Sequence, residues 1–75
     1  MDEVTVFMPL LDEGTIVWRP VQALHLGRDH YRIIGNVPAD EKWTYEPGSI
    51  VRCEHKTFAD DTKGLVPVEA LNPRP

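Results

Sequence analysis

Thr15-Ile16-Val17-Trp18-Arg19-Pro20-Val21-Gln22-Ala23-Leu24-His25-Leu26, then Gly27-Arg28-Asp29, then His30-Tyr31-Arg32-Ile33, is the stretch that decides the fold. The first twelve residues are the longest β-favouring segment of the chain, because β-branched and aromatic runs bounded by Gly, Pro and Asp favour hairpins over helices. Gly27-Arg28-Asp29 reads as a short hairpin loop. Setting Leu26 against His30 places Ala23 opposite Ile33 and Leu24 opposite Arg32, which puts Val21, Ala23, Tyr31 and Ile33 on one face. That face is expected to enter the core; a slip of one residue would exchange it for Leu24, Leu26 and Ile34. Pro20 has no N–H to donate, so it belongs at an edge or a bulge and divides the long segment into two arms.

Further strands are expected on both sides of this hairpin. Upstream, Val4, Val6 and Met8 alternate with Glu3, Thr5 and Phe7, the period-2 signature of a strand, and Pro9 ends its run of hydrogen bonds. Leu11-Asp12-Glu13-Gly14 supplies a turn. Downstream, Asn36 to Lys42 is a polar loop, Trp43-Thr44-Tyr45 re-enters an extended run, and Pro47-Gly48 suits the centre of a type II turn. Ile50 to Phe58 is a strand with Val51, Cys53 and His55 on one side and Arg52 and Glu54 on the other. Ala59 to Gly64 forms a hairpin loop, Leu65 to Val68 closes the sheet, and Glu69-Ala70-Leu71 makes one helical turn. The predicted fold is all-β: a five- to six-stranded antiparallel barrel over residues 1–71, followed by a fraying tail, Asn72 to Pro75.

Seventy-five residues make one domain with a small core. The single cysteine, Cys53, has no partner for an internal disulfide, and a secreted domain of this size ordinarily relies on several, so a reducing cytoplasm is the expected setting. Asp2 and Glu3 stand where an export signal carries positive charge, and no apolar run reaches the roughly 18 residues of a membrane-spanning helix. Eight Lys and Arg against twelve Asp and Glu give a net charge of −4. That balance argues against a nucleic acid partner, which needs a basic face to neutralise phosphates.

From Ala39 onward the order of features resembles a Src-homology-3 domain. Ala39-Asp40-Glu41 followed by Tyr45-Glu46-Pro47-Gly48-Ser49-Ile50-Val51 is similar to that family's acidic loop, diverging turn and second strand, and Gly64-Leu65-Val66-Pro67 to its closing strand. The chain departs from the family at the peptide groove: no Trp lies between Cys53 and Gly64, and the position three after the closing proline is Ala70 rather than Tyr. The aromatic slot that receives a polyproline helix is therefore missing. Val17-Trp18-Arg19-Pro20-Val21, Tyr31-Arg32-Ile33 and Val51-Arg52-Cys53 resemble small bacterial proteins of uncharacterised function. That second likeness implies a Src-homology-3-like barrel in a bacterial cytoplasmic protein and brings no activity with it.

Catalytic chemistry finds little support in these residues. Cys53 and His55 share one side of a strand, but structural zinc takes four Cys or His ligands in paired short spacings, so neither a metal nor another cofactor is expected. The acidic pairs Asp12-Glu13, Asp40-Glu41 and Asp60-Asp61 fall in loops, where carboxylates stay solvated; no phosphate loop or nucleophile elbow is present. A non-enzymatic protein-binding module is the expected function. Its predicted site is Trp43 and Tyr45, rimmed by Arg19, Arg32, Asp40 and Glu41, with Trp43 exposed to water and Trp18 plugging the barrel. Two alternatives belong to other classes. One is a nucleic-acid or ribosome-associated barrel stacking bases on Trp43 and Tyr45 beside Arg52 and Lys56; the other is a homodimeric structural subunit paired through an open edge strand.

Overall fold

A computed structural model describes residues 2–71. The predicted tail, Asn72 to Pro75, lies outside the described residues. Five strands follow one another among the described residues: β1 (Glu3–Pro9), β2 (Trp18–Gly27), β3 (His30–Ile33), β4 (Ile50–Thr57) and β5 (Lys63–Ala70). They form a closed barrel in which each strand pairs antiparallel with the next, and β5 returns to lie parallel to β1 through the pair Val6 and Leu65. An odd number of strands in a simple meander can close only with its first and last members parallel. This small all-β barrel is compatible with the Src-homology-3-like architecture that the resemblance implies.

The central hairpin has the expected register. Ala23 faces Ile33 and Leu24 faces Arg32, and the pairing then shifts between His25 and Gly27, so that Gly27 rather than Leu26 meets His30. Val21, Ala23, Tyr31 and Ile33 are all buried. β2 starts at Trp18 rather than Thr15, leaving Thr15 and Ile16 in the exposed loop before it. Pro20 sits opposite Phe7, in the part of β2 that pairs with β1 alone; β3 joins from Ala23 onward, and Ala23 and Leu24 pair with both neighbours. The proline thus occupies the part of the strand with a free side.

The core consists of Val6 and Met8 from β1, Val21 and Ala23 from β2, Tyr31 and Ile33 from β3, Val51 and Cys53 from β4, and Trp43. Every strand residue in that set obeys the alternation of a pleated strand, with its neighbours facing water. Glu69 and Ala70 are strand residues of β5, opposite Arg52 and Val51, and the Leu71 N–H donates to the Ile50 carbonyl. The expected helical turn does not form. The β4 ladder captures these backbone groups, and three residues are too few to repay helix nucleation.

The connection 34–49 crosses the end of the barrel without becoming a strand. Trp43 makes an isolated bridge with Leu10, in place of the expected extended run through Tyr45. Hydrogen bonds tie this loop to the end of β1: Leu11 N donates to Lys42 O at 2.8 Å, and Thr44 donates to Pro9 O through its N–H at 3.2 Å and its hydroxyl at 2.8 Å. Ser49 N donates to Glu46 O at 3.0 Å across Pro47-Gly48, and Gly48 has φ +92°, as a type II turn requires.

Candidate docking site around Trp43

Trp43 is 6% exposed and belongs to the core, which corrects the expectation that its indole faces water. Its ring packs with the core residues of the barrel, and a buried indole N–H needs an acceptor. Glu41, two residues earlier, supplies it: Trp43 Nε1 donates to Glu41 Oε1 at 3.0 Å. The same carboxylate receives Arg19 Nε at 2.8 Å on Oε2, and Arg19 Nη2 forms the second prong of the fork. The Glu41 side chain is only 9% exposed, against 46% for Arg19.

This pairing sets the charge states. Hydrogen bonds from Arg19 first and Trp43 second hold the Glu41 carboxyl below its ordinary value of 4.5. The Arg19 guanidinium is pushed the other way, by its hydrogen bond to Glu41 and by that residue's charge, with a smaller contribution from Asp40. Of the predicted site residues, Arg19, Glu41 and Trp43 therefore form one bonded unit. Asp40 reaches it only through its field.

Two clefts flank this unit. One, of about 480 Å³, is lined by Leu11, Trp43, Thr44, Tyr45, Glu46, Ser49 and Ala70. The other, of about 440 Å³, is lined by Leu11, Val37, Glu41, Lys42, Trp43 and Glu46. They share Leu11, Trp43 and Glu46. Leu11 is 46% exposed, and the half-buried Tyr45 packs on the core from the loop side. Lys42 reaches Asp12 Oδ2 at 3.0 Å in an exposed pair, an arrangement of small energetic weight. Arg32 stands elsewhere, on β3 between Leu24 and Ile50, and the structure does not bring it to the clefts.

Trp18 does not plug the barrel. It lies half-buried on the outer face, its ring 5.5 Å from Phe58 in an edge-to-face contact, while Phe58 meets Phe7 at 5.3 Å in the same way. The Lys56 ammonium stands 5.9 Å from the Trp18 ring. Sequence reasoning missed this exterior cluster, although a signal for it was present. If Val21 and Ala23 point inward, strand alternation sends Trp18 outward; Phe7, between inward Val6 and Met8, follows the same rule.

The other candidates remain apart. Cys53 is buried, and that burial pushes its thiol up to about 11, which leaves it protonated at neutral pH. His55 is exposed on β4 opposite Leu65. Arg52 is held by Glu69 at 2.9 Å and Glu54 at 2.6 Å. Among the described residues no group of three His, Cys, Asp or Glu side chains could hold a metal ion, and no helix is long and apolar enough to cross a membrane. Comparison with protein families, curated proteins and solved structures finds no match to this chain.

Proposed function

We propose that this domain is a non-enzymatic protein-binding module whose docking surface is the pair of clefts beside Trp43. One observation carries the reading: two adjoining depressions share an exposed leucine, an indole floor and a carboxylate, Leu11, Trp43 and Glu46. A partner's apolar side chain gains from covering Leu11 and Tyr45, while the Arg19–Glu41–Trp43 unit keeps the floor rigid so that little ordering is needed on binding. Trp43 thus acts as the base of the site instead of a protruding anchor.

Titration of an isotopically labelled domain with a partner recovered by affinity capture tests this directly. Amide shifts should centre on Leu11, residues 42–46, Ser49 and Ala70. Replacing Leu11 with Asp should weaken the complex about tenfold or more, the size expected for an apolar contact near the middle of an interface. Shifts confined to the Phe7, Trp18 and Phe58 face, with the Leu11 variant binding normally, would move the interface to the barrel exterior.

A further inference from the structure

We infer that the clefts select a peptide segment carrying a cationic side chain beside an apolar one, and that Glu46 is the carboxylate that receives the cation. This inference rests on the docking reading above. Among the described residues two carboxylates line the clefts, and they differ in whether their charge is already answered. Glu41 is enclosed and bonded to Arg19 and Trp43. Glu46 is exposed, lines both clefts, and forms no ion pair among the described residues. Among the described residues Lys42 is the one basic side chain in the two linings, and Asp12 holds it at 3.0 Å.

The backbone at position 46 is also fixed. Ser49 N donates to Glu46 O at 3.0 Å, and Gly48 N donates to Ile33 O at 2.7 Å, so the turn bearing Glu46 is anchored to β3. A charge on an anchored turn discriminates better than one on a free loop, since less order has to be imposed when the ligand arrives. Apolar surface lies within the same two depressions: Leu11 in both, Val37 in one and Tyr45 in the other. A side chain with a long apolar stem and a charged head fits such a boundary, its stem over Leu11 or Tyr45 and its head at the carboxylate. The net charge of −4 draws basic segments toward the domain.

Four acetylated and amidated hexapeptides, identical except for a central Arg, Lys, Gln or Glu between leucines, provide the test against the full chain and its Glu46→Gln and Glu46→Lys variants. The Arg and Lys peptides should shift the amides of residues 42–46 and Ser49, bind more weakly as salt rises, and lose about three- to tenfold in affinity to Glu46→Gln. Glu46→Lys should lose more. Equal binding of the Gln and Arg peptides, indifference to Glu46→Gln, or no binding of the cationic peptides at millimolar concentration overturns the inference. If the Gln peptide binds as well as the others but Leu11→Asp weakens the whole series, the docking reading stands and the cation preference falls. Shifts outside the clefts, unaffected by Leu11→Asp, remove both. A single-stranded oligonucleotide that shifts the same amides also overturns the inference, because an anionic ligand would not seek Glu46.

Discussion

Trp43 lies on an irregular loop and is enclosed, whereas Trp18 begins the longest strand of the molecule and remains half-exposed. The strand dictates where Trp18 must point, and alternation sends it outside, where Phe7, Phe58 and Lys56 give it partial cover. The loop imposes no such parity. It lets Trp43 turn inward, and Glu41 meets the indole N–H once it is there. An indole is buried where a cavity and an acceptor coincide, not where the local run is most strand-like.

Removing each ring should separate the two environments sharply. Trp43→Ala deletes a buried aromatic and is expected to cost about 3–5 kcal/mol, close to the whole stability of a small domain, so the variant should show lost near-ultraviolet dichroism and no cooperative urea transition. Trp18→Ala, which loses edge contacts on the surface, should cost about 1–2 kcal/mol and retain a cooperative transition. Equal losses for the two would break the contrast.

The exterior cluster can be tested through its backing. A Cβ on Gly64 would come within 2.5 Å of Phe7 Cδ2 and Cε2 and 3.2 Å from Phe58 Cε2, so Gly64→Val must displace the Phe7 ring. A loss of about 1–3 kcal/mol is expected in urea unfolding, and a smaller residue at position 7 should recover part of it. Additivity of Gly64→Val with Phe7→Ala would show that the two do not touch in solution.

The brace beneath the clefts carries a pH signature. Because Arg19 and Trp43 lower the folded carboxyl of Glu41 below 4.5, its contribution is complete above the unfolded value and fades as pH falls through the folded one. Glu41→Gln should therefore lower the urea midpoint at pH 7, with the gap to the parent narrowing in acid. A gap that stays constant down to pH 2 would detach Glu41 from the brace. The smallest effect belongs to Lys56→Ala, where loss of one exposed cation above Trp18 should cost at most about 0.5–1 kcal/mol and shift the indole emission slightly.

The hairpin around Gly27 was legible in the sequence because a short turn joins two β-favouring arms, which fixes the pairs Ala23–Ile33 and Leu24–Arg32; the bulge that sets Gly27 rather than Leu26 against His30 was not. The turn at Pro47-Gly48 was legible for a similar reason: proline and glycine each fix a backbone angle. What resisted reading depends on distant partners. Glu69 and Ala70 have no local feature that favours strand over helix; the β4 ladder decides. Arg19 and Glu41 were named together but not as a bonded pair, since twenty-two positions separate them and only barrel closure makes them neighbours. Trp43 was misplaced because three residues of loop sequence hold no parity from which to read a direction. Arg32 was grouped with the site on chemistry alone, and its strand carries it elsewhere.

The parallel seam between β1 and β5 gives the domain two unlike poles. β1 runs about 20 Å from Glu3 to Pro9, at roughly 3.3 Å per strand residue, before Leu10 bridges to Trp43, whereas β5 finishes at Ala70, in the wall of one cleft. A tether or affinity handle attached at Glu3 stands away from the proposed docking clefts. One attached at Ala70 stands in the wall of one of them, and immobilising the protein through that residue should reduce access to the clefts.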